Sequence, residues 1–256
     1  MEMEMEMTPK TSGDTPQYKI TVVPVDDEGS RFYLEKYKPF RLASLQQDPQ
    51  AFGSTYEREL AFDEETWLGR IKNPLATTFV AVRADNSSNQ IVASTALIGP
   101  LPSTTAITTT SNPASNPYQV ILRVPSTTTA AAPSNAEQST SNNSATNNNR
   151  SSSNEREEPL YFQMSAVYTL PTARGRGLAK ALIKAATDEA RDRAGRQGGR
   201  PLALSVVVYP DNVAAISVYE RCGFARKAAE EPELAFNEIK NIKELRMNMY
   251  YLGRRD

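Results

Sequence analysis

Apolar positions along the chain follow strand and helix periods in turn, interrupted by one long polar interval. "YKITVVPV", residues 18–25, is β-rich and reads as a strand. Between Arg31 and Gln47 the residues Leu34, Tyr37, Arg41 and Leu45 return at helical spacing. Pro39 is expected to kink or split that helix, because its ring removes an N–H and crowds the preceding turn. "FDEETWLGRI" predicts a second helix, capped by Asp63 and carrying Glu64 and Glu65 in its first turn. "TTFVAVRA" and "QIVASTALIG", separated by "DNSSN", predict a β-hairpin. Past the polar interval, "LYFQMSAVYTL" predicts a strand. A helix follows, on which Leu178, Leu182 and Ala186 recur at i, i+4 and i+8 beside Ile183 and Ala190. "PLALSVVVY" is almost wholly apolar, as a strand buried on both faces requires. "NVAAISVYERCGF" predicts a short helix with Asn212 as N-cap and Gly223 as C-terminal stop. In "ELRMNMYYL", Leu245, Met247, Met249 and Tyr251 alternate inward against Arg246 and Asn248 outward, which predicts a closing strand. The order is β, helices, hairpin, β, α, β, α, β: a mixed α/β domain.

The polar interval runs over about residues 102–158. It is rich in Ser, Thr and Asn and too poor in apolar residues to bury a core, so it is expected to be disordered. Only "YQVILRV", residues 118–124, breaks it with a strand-like run. It reads as an insertion in a surface loop, where added length costs little. Residues 1–16 are polar and aperiodic, a disordered tail. One domain over residues 17–252, interrupted by that insertion, is the expected organisation.

Composition narrows the chemistry. The net charge is -1, so no global basic field points to nucleic acid. The chain has no histidine, which excludes Ser-His-Asp triads, Cys-His pairs and histidine-based zinc sites. No metal site is expected. A single cysteine, Cys222, forbids an intrachain disulfide and favours a reducing compartment. No basic, apolar leader stands at the start, and no apolar run approaches the roughly 20 residues of a membrane span. The expectation is a cytoplasmic or nuclear protein with no membrane partner.

The stretch "LPTARGRGLAKALIKAATDEA", residues 170–190, places two arginines and two glycines directly before a helix. Glycines let a backbone approach a ligand closely, arginines attract anions, and a helix N-terminus offers unpaired N–H groups. Together they suggest a phosphate site. The Lys-Ser/Thr pair and the spacing of a Walker P-loop are missing, and Lys180 stands where a dinucleotide fingerprint needs a small residue.

Arg174, Gly177 and Ala179 satisfy a third pattern, Arg/Gln-x-x-Gly-x-Gly/Ala, and "NVAAISVYERCGF" matches Asn-x-x-Ala-x-x-x-Tyr-x-x-x-Gly-Phe downstream. With these two motifs the chain resembles the GNAT superfamily of acetyl-CoA-dependent N-acetyltransferases. "RLASLQQDPQAFGSTYERE" and "TTFVAV" are also similar to one branch of it. The resemblance covers roughly residues 18–101 and 160–252. It implies a GNAT-like acyl-CoA N-acyltransferase fold, a mixed central sheet flanked by helices, and acetyl-CoA as co-substrate. Backbone amides of Gly175, Arg176, Gly177, Leu178, Ala179 and Lys180, with the Arg174 side chain, would then meet the pyrophosphate. Asn212 and Ala215 would flank the pantetheine arm, and Val167, Tyr168 and Thr169 would offer amides to the thioester carbonyl.

Acetyl transfer needs a deprotonated amine, a polarised carbonyl and a proton for the departing thiolate. Asn212 and Tyr219 lie two helical turns apart on one face, so the Tyr219 hydroxyl is the candidate proton donor, against a purely packing role. No base is assigned. Gln163 and Ser165 stand where some members of the family carry an acid, and Glu57 and Glu59 are near the acceptor side by the same resemblance. Ser54 and Glu57 also fit a capping box. Cys222 and Trp67 read as packed side chains before reactive ones. The expected activity is transfer of acetyl from acetyl-CoA to a primary amine, on a small molecule or a protein, by direct attack in a ternary complex. The alternative is a catalytically inactive acyl-CoA-binding module.

Overall fold

In a computed structural model of the chain, the residues described are 17–84, 90–101, 158–227 and 234–252. The expected tail, the insertion with its run at 118–124, and the hairpin connection "DNSSN" lie outside them. Eight strands form one sheet: β1 (Tyr18–Val22), β2 (Ala76–Arg83), β3 (Gln90–Leu101), β4 (Leu160–Thr169), β5 (Leu202–Val208), β6 (Ala225–Arg226), β7 (Leu234–Asn237) and β8 (Ile242–Tyr251). Their order is β1-β2-β3-β4-β5-β8-β6, with β7 also on β8. Only β4 and β5 run parallel; every other pair is antiparallel. That one parallel junction needs a crossover, which the helix between the two strands supplies.

Helices cover both faces. On one lies α5 (Leu178–Arg196), whose Leu182, Ile183, Ala186 and Ala190 pack against Phe162, Met164, Leu204, Val206 and Met247. On the other are α1 (Asp27–Phe32), α2 (Lys38–Gln47), α3 (Tyr56–Leu60) and α4 (Glu64–Ile71). There Tyr33, Tyr37, Leu45, Phe52, Trp67 and Ile71 form a second core. Alternation in β2 divides the cores, with Phe79 and Ala81 facing one and Val80 and Val82 the other. A fully buried aliphatic or aromatic side chain in either core contributes about 1.5–3 kcal/mol.

Pro39 splits the first helical stretch as expected, through a π turn at Tyr33–Tyr37 between α1 and α2. Lys38 N donates to Tyr33 O, so one extra residue widens the helix just where the proline ring would meet the carbonyl of Glu35. The short α1, capped by Asp26 on Gly29 N at 2.8 Å, and α3 add to the expected elements. The cap of α3 is Thr55, whose hydroxyl accepts from Arg58 N at 3.2 Å. The Ser54–Glu57 capping box therefore starts one residue too early.

Candidate active site

A gap between β4 and β5 is the first element of the site. Their parallel ladder begins at Leu160↔Leu202 and ends at Met164↔Val206, although both strands continue beyond. The cause lies in β4. Ala166 takes φ +52, and the register against β3 shifts there, since Ser94 pairs with Tyr168 while Ala96 pairs with Ser165. This is a β-bulge, which bends its strand away from the neighbour. Hydroxyls of β3 satisfy its carbonyls: Thr95 Oγ1 donates to Ser165 O at 3.1 Å and Ser94 Oγ to Ala166 O at 3.4 Å. Beyond the bulge, Leu170 N donates to Val92 O. Strand alternation therefore turns the Tyr168 amide toward β3 and those of Val167 and Thr169 into the gap.

The glycine loop closes one side of that gap. Gly175 and Gly177 both have φ +76, a left-handed conformation that side chains disfavour, and among the described residues nothing beyond the chain's own neighbouring backbone lies within 4 Å of where a Cβ would stand. Gly177 is the N-cap of α5 and offers no side chain to its amides; the first helical bond is Ala181 N to Gly177 O at 3.0 Å. Leu178, Ala179 and Lys180 thus begin the helix at its positive end, on the wall of a cavity of about 740 Å³.

The opposite wall of the cavity is α6 (Val213–Arg221). Asn212 caps it, Oδ1 accepting from Ala215 N at 3.1 Å, which leaves its Nδ2 for another partner. Tyr219 is buried, with Phe224 edge-on at 5.8 Å between ring centroids. Burial first, and the neighbouring Cys222 second, push its ionisation upward, so the hydroxyl remains a neutral donor. Cys222 also lines the cavity, and burial raises its thiol pKa against the pull of Lys180.

A second, smaller cavity of about 140 Å³ opens on the other side of the gap, below α2 and α3. Ala51, Val167, Asn212, Ala215 and Tyr219 line both, so the two cavities meet at the bulge. Glu59 sits in the smaller one with both oxygens engaged, Oε1 to Arg41 Nη2 at 2.8 Å and Oε2 to Arg70 Nη1 at 3.1 Å. Burial would raise its pKa, but Arg41 and then Arg70 outweigh it and hold the carboxyl at about 2. Glu244 of β8 lines the same cavity. It accepts from Asn237 Nδ2 at 2.8 Å through Oε1, while Oε2 is buried with no hydrogen bond among the described residues.

Residues 147–224 match the model of the acetyltransferase (GNAT) family. The chain carries a GNAT acetyltransferase domain. No curated protein sequence matches this acetyltransferase. Among solved structures, an assigned acetyltransferase of Acinetobacter baylyi ADP1 has a TM-score of 0.51 at 12% identity, over 94% of this chain and 96% of that one. Arabidopsis thaliana NAA60, solved with a bisubstrate analogue, gives 0.47 at 14%, over 92% and 100%. A spermidine N-acetyltransferase chimera built from Vibrio cholerae SpeG gives 0.45 at 16%, over 91% and 95%. The likeness to the Acinetobacter protein bears out the mixed α/β fold, and the family match makes the protein an acyltransferase that carries out acetyl transfer.

Within this acetyltransferase, Val167, Tyr168, Thr169, Arg174, Gly175, Gly177, Leu178, Ala179, Lys180, Asn212, Ala215 and Tyr219 all line the larger cavity. Arg176 does not: its guanidinium lies over the Tyr18 ring at 5.7 Å, because the left-handed glycines on either side turn it to the outer face. Arg174 reaches the cavity already paired, Nη2 to Asp48 Oδ2 at 2.7 Å and Nε to Thr169 O at 3.0 Å. Gln163 and Ser165 line the smaller cavity, Glu57 is exposed, and Trp67 is fully buried in the second core. Glu244, Asn237 and Tyr209 are the additions. Glu244 falls on the face of β8 that alternation marks as outward, yet Asn237, seven residues before it, and Gly53, remote in sequence, stand against its carboxylate.

Proposed function

We propose that this acetyltransferase moves the acetyl group of acetyl-CoA onto a primary amine by direct attack within a ternary complex. One observation carries the reading: two cavities, one walled by the glycine loop and one by polar side chains, meet at the β4 bulge. Acyl donor and amine can then be bound together, with the reacting atoms at the junction, and such positioning removes much of the entropic barrier. The larger cavity falls within the range of about 300–1,000 Å³ usual for small-molecule sites. Its open glycine face and uncapped helix start suit a pyrophosphate. The amides of Val167 and Thr169 are aimed to polarise the thioester carbonyl, and Tyr219 to protonate the departing sulfur. A covalent acetyl-enzyme is disfavoured, since Cys222 has a raised pKa and no histidine can activate it. The acceptor is an amine on a small molecule or a protein, not a nucleic acid or a membrane. We place the enzyme in the cytoplasm or nucleus, where its single thiol stays reduced.

Incubation with acetyl-CoA and a panel of amines and peptides, following free thiol, tests this reading. Thiol release that depends on one class of amine is the expected result. Absence of release with every amine, or release indifferent to the amine, overturns it.

A further inference from the structure

The acetyltransferase needs a group to take the proton of its acceptor, which enters as an ammonium ion at neutral pH. Glu57 is exposed and lies outside the smaller cavity. Glu59 lines it, but two arginines engage both its oxygens and hold it ionised down to about pH 2, which makes it a weak base. Gln163 has no basic oxygen.

Glu244 differs on each count. It is 3% exposed, and it lines the cavity that meets the cofactor side at Val167 and Tyr219. Asn237 Nδ2 donates to its Oε1 at 2.8 Å and to Gly53 O at 2.9 Å, which fixes the carboxylate plane. Among the described residues Oε2 is left buried without a partner, an arrangement that costs free energy unless something binds there. The packing has no slack. A Cβ on Gly53 would stand 2.8 Å from Asn237 Nδ2 and 3.1 Å from Glu244 Oε1.

We infer that Glu244 Oε2 is the proton acceptor for the amine in the transfer proposed above. The ammonium gives one proton to Oε2, and the freed lone pair forms the N–C bond to the thioester carbonyl. The C–S bond then breaks, and the thiolate takes a proton from the Tyr219 hydroxyl. Tyr219 recovers it from the nitrogen, and Glu244 releases its own to solvent. Burial raises the pKa of Glu244, against the lowering effects of Asn237 and of Lys240 on the β7–β8 turn. Lys240 is itself tied to Pro49 O at 2.6 Å. The other charged or titratable groups that line this cavity are Tyr209 from the end of β5, Tyr219 of α6, and Tyr33, Tyr37, Arg41, Arg58, Glu59 and Arg70 from the helical layer.

Glu244→Gln keeps the shape and can still accept from Asn237. On an alkylamine that the wild type acetylates, it is expected to lose about 10²-fold or more in kcat at pH 7. The loss should shrink as pH rises toward the pKa of the amine, and an arylamine, which arrives unprotonated, should be acetylated equally by both proteins. Gly53→Ala, which displaces the carboxylate without removing it, should lower kcat in the same pattern, with CoA affinity by calorimetry unchanged. Wild-type kcat at pH 7 in both variants overturns the assignment, as does a loss of the same size at every pH and on both amines. A wild type inactive on every amine would instead refute the transfer reading itself.

Discussion

Asp48 Oδ2 accepts from Arg174 Nη2 at 2.7 Å, and from the Tyr168 hydroxyl at 2.5 Å, at the mouth of the larger cavity. The most conspicuous cation of the glycine loop is thus already matched and half exposed, where an ion pair is worth only about 0–1 kcal/mol. Phosphate recognition should rest on backbone rather than on this side chain. Arg174→Ala is expected to weaken CoA binding by less than about tenfold. Gly177→Glu, which puts bulk, negative charge and a strained backbone at the open face of the helix start, should abolish it in a folded protein. Calorimetry with both variants gives the ordering, and the reverse ordering would make the arginine the anchor.

Tyr219→Phe separates chemistry from packing, because the ring that meets Phe224 remains and only the hydroxyl is lost. Donation to the leaving sulfur predicts a fall in kcat of about 10²-fold or more with CoA affinity close to unchanged. Wild-type kcat would remove the hydroxyl from the mechanism.

Glu59, held at about 2 in the folded chain, makes stability sensitive to acid. A carboxyl whose folded pKa is depressed stabilises fully above its unfolded value of about 4.3, and that stabilisation is lost as pH falls toward the folded value. Wild-type Tm is therefore expected to drop between about pH 5 and pH 2. Glu59→Gln, which leaves Arg41 and Arg70 facing each other, should cost about 3–5 kcal/mol at neutral pH and flatten that acid limb. Thermal melts across the range would show both. A variant as acid-sensitive as the wild type would place the effect elsewhere.

The ends of the long polar interval are neighbours, since Leu101 at the close of β3 pairs with Tyr161 at the opening of β4. A short Gly-Ser linker replacing residues 103–157 can span them. Closure entropy changes by only about 0.6 kcal/mol per doubling of length, so the Tm should stay nearly constant. A large fall would show that residues within the interval belong to the core.

The elements legible in the sequence are those whose burial follows a single period. The helix at Leu178, the almost wholly apolar β5 and the Asp63 cap state their environment in consecutive residues. Gly175 and Gly177 likewise announce a left-handed loop before a helix. What stayed hidden depends on partners distant along the chain. Arg174 meets Asp48 only because α2 ends beside the loop, so its charge looked free. The bulge at Ala166 carries no glycine to mark it; hydroxyls of Ser94 and Thr95, on another strand, hold it in place. The phase of Glu244 in β8 pointed outward, and only the fold supplies the Asn237 and Gly53 that cover it.

Trp67 is the one tryptophan in the chain, and it lies fully buried among Tyr33 and Phe62 in the second core. The Arg70 guanidinium over its ring, 5.1 Å from the centroid, is the same group that binds Glu59. The indole is therefore a built-in optical reporter wired to the amine-side lobe. Its emission should follow the melting of that lobe and the state of the Arg41–Glu59–Arg70 cluster. Nucleotide bound along the glycine loop, on the far side of the gap, should leave the emission nearly unchanged, so one spectrometer can follow the two halves of the site separately.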